Sequence, residues 1–239
     1  MTFTSEEIMQ NSFVITIDSE RFSAFRSEFL SANFPEELLP KKFIGYEIVD
    51  EYLTNEFKPI FDLQFSKVRG YLEQELRKFY RVFNNASHFA IVQHAKLNDL
   101  PFVTIFEDDA VPVKDCIEKL NAYCSYVPDD TDVLRLGYTI PHGKLLRGEY
   151  VPPEPDKNGF IQSRFFGSHA YIVFKKYYQQ FLESNKYQPH CDIDKINPGP
   201  DKVVYALKEP LFVQYNLLNR PVIHSYKMRN GMLKLPPVH

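Results

Sequence analysis

The sequence predicts an α/β domain: a sheet buried on both faces and flanked by helices. Three observations carry that expectation. The run Pro101–Val111, P-F-V-T-I-F-E-D-D-A-V, stays apolar until it meets three consecutive acids. That is the pattern of a strand covered on both faces, as in the middle of a parallel sheet. Residues 21–32 and 68–83 instead carry apolar side chains at helical spacing. With 239 residues, 44% hydrophobic and 25% charged, the chain is long enough for one substantial core.

Taken in order, Phe13–Ile17 reads as the first strand and Asp18-Ser19 as a helix cap. Arg21–Ala32 follows as a helix, with Phe22, Phe25, Phe29 and Leu30 on its apolar stripe. The 35–62 segment, broken by Pro35, Pro40 and Pro59, is expected to be irregular apart from a short strand near Phe43–Tyr46. Val68, Leu72, Leu76, Phe79 and Phe83 define a second amphipathic helix. Its other face mixes Lys67, Arg69, Arg77, Lys78 and Arg81 with Glu73 and Glu75, which is ordinary solvated charge.

Asn84-Asn85 is expected to interrupt that helix, and Ser87–Leu97 to form a separate one ending at Asn98-Asp99 before Pro101. Beyond the acids, Lys114–Tyr126 reads as helix and Val133–Leu136 as strand. Thr139–Gln162, rich in Pro and Gly, reads as a long irregular loop, a length often given to lids and binding loops. Phe165–Phe174 is a strand, Lys175–Ser184 a helix, and His190–Asp201 a loop. Val203–Ala206 and Leu211–Gln214 are short strands. No repeat, low-complexity run or linker appears, so residues 1–239 are expected to form a single domain.

Composition narrows the function classes. A formal net charge of −3 gives no global attraction for nucleic acid. Cys116, Cys124 and Cys191 form no CxxC pattern and cannot all pair, which suits small buried thiols in a reducing compartment. No stretch approaches the ~18–20 apolar residues of a membrane span. The N-terminus carries acids where a signal peptide has bases. A cytoplasmic location is expected, with peripheral contact at an anionic membrane left open. Residues 216–239 hold Arg220, Lys227, Arg229 and Lys234 and no acid. Such a basic tail suits a diphosphate or anionic headgroups, or else simply water.

Glu107, Asp108 and Asp109 sit just past the strand's carboxyl end, the edge where open α/β sheets bind ligands. Adjacent carboxylates repel each other, and a bound cation is the natural compensation. Oxygen ligands with open coordination suit Mn²⁺ or Mg²⁺, which also bind diphosphates. Asp129, Asp130 and Asp132 lie instead before a strand, where turn and capping roles are expected. The chain has no P-loop, G-x-G-x-x-G, H-E-x-x-H or G-x-S-x-G pattern. Transfer from a nucleotide-linked donor fits best. A nucleotidyltransferase or phosphohydrolase using the same carboxylates, or a non-catalytic carbohydrate-binding protein, are the alternatives.

Residues 87–110, S-H-F-A-I-V-Q-H-A-K-L-N-D-L-P-F-V-T-I-F-E-D-D-A, resemble the core signature of glycosyltransferase family 25, which includes lipooligosaccharide galactosyltransferases. F-V-I-T-I-D-S-E-R at 13–21, V-L-R-L-G at 133–137, G-S-H-A-Y-I-V at 167–173 and E-P-L-F-V-Q at 209–214 are similar to further family segments, in the same order. The resemblance covers roughly residues 13–215. It implies a GT-A-like nucleotide-binding sheet and a metal motif in Glu107-Asp108-Asp109. It also implies a UDP-hexose donor, most often UDP-galactose, and a saccharide or glycolipid acceptor. The lead-in Val82–Ala86 and the His190-Cys191-Asp192 segment depart from the family pattern.

Each candidate residue also has a plainer reading. By resemblance Asp108 and Asp109 bind metal, and Glu107, Asp108, Ser87, His88, Gly167 and His169 contact the donor. Ser87 would otherwise be a helix N-cap and His88 a structural histidine. His169, among small residues, is either a ligand contact or a half-buried strand residue, and Gly167 suits a close backbone approach. His94 falls on another helix face and reads as structural. An inverting transfer needs a base, for which Asp192 is the first choice, then Asp194 and Asp201. Each would otherwise be a turn or cap.

Overall fold

The computed structural model describes residues 3–16, 19–44, 76–139, 153–183 and 196–214. Among the described residues nine strands form one sheet. They are β1 (Ser12–Thr16), β2 (Lys41–Ile44), β3 (Phe102–Glu107), β4 (Ala110–Pro112), β5 (Val133–Thr139), β6 (Phe160–Ile161), β7 (Phe166–Phe174), β8 (Val204–Leu207) and β9 (Phe212–Gln214). The order is β2-β1-β3-β7-β5-β8-β6, with β9 pairing both β4 and β5. The α-helices described beside it are α1 (Ser5–Gln10), α2 (Ser19–Ser31), α3 (Leu76–Leu97), α4 (Cys116–Cys124) and α5 (Tyr178–Glu183).

β3 is central, as its apolar run implies, but the sheet is mixed rather than parallel. β3 runs parallel to β1 and antiparallel to β7. β7 is antiparallel to β5 as well, and β5 is parallel to β8. β1, β2, β3, β5 and β8 therefore all point one way, while β7, inside the sheet, and β6, at its edge, run against them. A reversed neighbour buries a strand's two faces as well as a parallel one does, so hydrophobic pattern alone cannot separate the cases.

Alternation along β3 divides its side chains between two cores. Phe102 and Phe106 join Phe25 and Phe29 of α2, Ile8 and Met9 of α1 and Leu120 of α4. Val103 and Ile105 join Ile91, Val92 and Ala95 of α3 and Phe181 of α5. The sheet is thus a middle layer between two helical layers. On α2 the buried residues are Arg21, Phe25 and Phe29. Leu30, expected on the stripe, is 43% exposed.

Two helices end through the same device. Asn33 and Asp99 adopt left-handed φ values of 65° and 55°. The next amide donates back across the last turn, Phe34 N to Phe29 O at 3.1 Å and Leu100 N to Ala95 O at 3.0 Å. Short polar side chains tolerate that conformation best after glycine.

The expected break at Asn84-Asn85 does not occur: α3 runs unbroken through both. Asn costs a helix only about 0.7 kcal/mol relative to Ala. Burial of Ile91, Val92 and Ala95 against the sheet outweighs that. Ser87 and His88 consequently sit within a helix rather than at its start, and Ser87 is no N-cap. The loop expected over Thr139–Gln162 is ordered at its end, where Phe160 and Ile161 pair with β8. Residues 140–152, the Asp192 and Asp194 candidates, Cys191 and the basic tail lie outside the described residues.

Candidate functional site

The carboxyl ends of β1, β3 and β5 and the amino end of β7 meet at one edge of the sheet. β3 ends at Glu107, and Asp108 and Asp109 form the turn into β4. β1 delivers Thr16, α2 delivers Arg21, β7 delivers Gly167, Ser168 and His169, and β9 delivers Gln214. The fold thereby gathers Glu107, Asp108, Asp109, His88, Gly167 and His169 from distant parts of the chain.

The three carboxylates have different surroundings. Glu107 lies on the α3 side, where its Oε1 accepts from Ser168 Oγ at 2.5 Å and stands 3.3 Å from His88 Nε2. Asp108 turns toward α2 and pairs with the Arg21 guanidinium, the two side chains being 8% and 10% exposed. Asp109 meets Gln214, whose Nε2 lies 3.5 Å from its Oδ2. Burial pushes the Asp108 carboxyl up to about 7. Arg21 and the Thr16 hydroxyl pull it down, while Asp109 and Glu107 push it further up.

His88 is wholly buried, with Tyr171 OH 2.8 Å from its Nδ1. Both ring nitrogens are engaged, so His88 acts on anything at the edge through Glu107. Ser87 is buried beside it. His169 is wholly buried, its Nε2 3.0 Å from the Phe212 carbonyl. Burial lowers its pKa, against the opposing pull of Asp109 and the Phe212 carbonyl. A neutral ring protonated on Nε2 donates to Phe212 O and presents Nδ1 as an acceptor beneath Gly167.

Two glycines make room for that ring. A Cβ on Gly137 would stand 2.4 Å from His169 Nε2 and 2.5 Å from Phe212 O. A Cβ on Gly167, whose φ is +86°, would stand 2.9 Å from His169 Nδ1. β5 and β7 slip register on either side of Gly137. Such irregularities re-aim side chains at a sheet edge.

Arg135 and Arg21 are the contributors that residue patterning did not single out. Arg135, in the apolar β5, is fully buried. Its Nη1 donates to Phe165 O (3.2 Å), Ile196 O (3.1 Å) and Asn197 Oδ1 (2.9 Å), and its Nη2 to Phe166 O (2.8 Å) and Gly167 O. It clamps the entry to β7 from below. The available signal was a charged residue inside V-L-R-L-G, which a buried strand admits only with many partners.

Other candidates lie elsewhere. Asp201, exposed before β8, is at the amino edge of the sheet, away from the acidic triplet, which removes it as a base for chemistry there. Asp132 has the structural role expected of its cluster: its Oδ2 accepts from Val203 N at 2.7 Å. His94 is exposed, with its ring edge-on to Phe13 at 5.4 Å. Burial pushes both Cys116 and Cys124 up to about 12, so they are inert thiols.

Among the described residues no group of three or more His, Cys, Asp or Glu is arranged to hold a metal ion. Two adjacent carboxylates nevertheless fit a cation that keeps waters and takes its remaining ligands from phosphate. No helix among the described residues is long and apolar enough to cross a membrane. No protein-family model and no curated protein matches the chain.

Proposed function

We propose that this protein is a metal-dependent glycosyltransferase that moves a hexose, galactose in the first instance, from a UDP-sugar to a lipooligosaccharide-type acceptor. The observation that carries the reading is the acidic triplet at the carboxyl end of a central strand, beside Arg21 in the first turn of α2. A helix-flanked sheet with acids at that edge supports a GT-A-like architecture. The family 25 segments run through these same elements: β1 and α2, α3 and β3, β5, β7, and β9.

Asp108 and Asp109 are the residues to hold Mn²⁺ or Mg²⁺, which when bound supplies charge neutralisation for the departing diphosphate. Glu107, held by His88 and Ser168, is the residue to face the donor. Gly167, backed by the buried His169 ring, forms the wall against which the sugar rests. The base is assigned to Asp192 or Asp194, for an inverting displacement.

Calorimetric titration with UDP, UDP-galactose and UDP-glucose, each with Mn²⁺ and again with EDTA, tests the reading. Metal-dependent UDP binding is expected, tightest for the true donor. Asp108→Ala and Asp109→Ala should abolish transfer and leave a folded protein. If both variants keep full Mn²⁺-dependent turnover, the assignment is wrong. Release of pyrophosphate or phosphate instead of UDP would point to the nucleotidyltransferase or phosphohydrolase.

A further inference from the structure

Arg21 occupies the first turn of α2, a 13-residue helix that begins just beyond the end of β1. Its guanidinium lies on Asp108, one of the two carboxylates assigned to the cation, and both side chains are largely withdrawn from water. We propose that Arg21 is a resident counter-ion for the cation position. The divalent ion displaces it from Asp108, and the released guanidinium then grips the donor diphosphate. This inference rests on the metal-dependent transfer reading above.

Three physical points converge on it. A buried carboxylate is stable only with a partner, so a site that must stay folded without its cation needs a stand-in. Arg21 is that stand-in, but an incomplete one. With the guanidinium in place, Glu107 and Asp109 still repel the Asp108 charge. A divalent ion carries twice the charge and reaches both adjacent aspartates, so it competes successfully.

The displaced guanidinium would lose its ion-pair partner in a largely dry site. A diphosphate arriving with the metal provides its partner, and a planar guanidinium matches phosphate oxygens two at a time. The first turn of α2 adds amides whose partial positive charge favours an anion there. Metal and nucleotide binding would thus be coupled through one side chain, each making the other's place available.

Calorimetry on wild type, Arg21→Gln and Arg21→Lys, with Mn²⁺ alone and then UDP in saturating Mn²⁺, tests the exchange. Removing a competitor should raise the Mn²⁺ affinity of Arg21→Gln about fivefold without nucleotide. Removing the diphosphate contact should lower its UDP affinity about tenfold or more. Arg21→Lys keeps the charge on Asp108 but not the two-pronged grip. Its Mn²⁺ affinity should stay within about twofold of wild type while UDP affinity falls.

Unchanged or weakened Mn²⁺ binding by Arg21→Gln would overturn the exchange and leave Arg21 as a purely structural partner of Asp108. Wild-type UDP affinity in either variant would overturn the diphosphate role, with the transferase reading still standing. A wild-type protein that binds neither Mn²⁺ nor UDP would overturn that reading and the inference together. If circular dichroism finds Arg21→Gln unfolded, Arg21→Lys decides alone: UDP affinity equal to wild type refutes the proposal.

Discussion

Tyr171 Oη stands 2.8 Å from His88 Nδ1, and His88 Nε2 faces Glu107 Oε1 at 3.3 Å. A carboxylate oxygen accepts, so the proton between them belongs to Nε2. Tyr171 on β7 therefore anchors a ring on α3, which in turn orients a carboxylate on β3.

Breaking this chain at different links should have graded effects. Tyr171→Phe leaves a buried nitrogen without its hydroxyl partner and is expected to cost about 1–2 kcal/mol. His88→Ala adds a cavity and strips Glu107 of a partner, for about 3 kcal/mol. The double variant should lose less than the sum, since both remove the same link. Urea denaturation of the three proteins measures each quantity, and strict additivity would show that the link carries no coupling.

Asp108 gives the free protein a definite pH dependence. Its folded pKa of about 7 lies above the ordinary 3.8. Between those values the folded chain keeps a proton that the unfolded chain has lost. Stability should fall as pH rises through that window and level off above it, by on the order of a few kcal/mol in total. Asp108→Asn cannot ionise and should flatten the slope. Urea midpoints at several pH values decide it, and parallel slopes in the two proteins would refute it.

Gly137→Ala puts a methyl where His169 Nε2 and Phe212 O already stand, at 2.4 and 2.5 Å. One of those contacts is backbone and cannot rotate away, so about 2–3 kcal/mol should be lost through overpacking. Gly167→Ala meets the ring at 2.9 Å and must also hold a φ of +86°. About 1–2 kcal/mol of that variant's loss is backbone strain. Adding His169→Ala should relieve the ring contacts in both variants, but neither the Phe212 O clash of the first nor the strain of the second. Thermal melts of the single and double variants test the distinction.

Arg135→Met keeps the bulk of the side chain but removes donors from Phe165 O, Ile196 O, Phe166 O and Asn197 Oδ1. Several buried acceptors would lose a partner together, so a loss of about 3–5 kcal/mol is expected. Arg135→Lys, with a charge but no fork, should fall between. Hydrogen exchange offers a second readout: amides near Phe165 should lose protection before those of β3. Uniform loss across the sheet would argue against a local clamp.

What could be read in the sequence, and what could not, follows from the range of the forces involved. β3 and its terminal acids were legible because burial on both faces leaves an unbroken apolar run. α2 was legible because one face repeats at helical spacing, although Leu30 points to water. Directions within the sheet were not: no local feature distinguishes β7 beside β3 from a parallel neighbour. The continuity of α3 through Asn84-Asn85 was hidden because propensity there is overridden by packing more distant in the chain. The acidic triplet was legible, yet its three fates depend on partners at Arg21, His88, Ser168 and Gln214, which only the fold brings near. Asp201 was misjudged for a related reason, since which sheet edge a loop occupies is a property of topology.

The reversed direction of β7 has a consequence beyond the site. Thr139, ending β5, pairs in register with Phe166, beginning β7. Between them Phe160 and Ile161 pair with β8, so the segment from Thr139 to β6 also has both ends in the sheet. Its ends are anchored independently of its length, and closure entropy grows only logarithmically, by about 0.6 kcal/mol per doubling. That segment can therefore change in length at little cost in closure entropy while the strands at its two ends keep their registry.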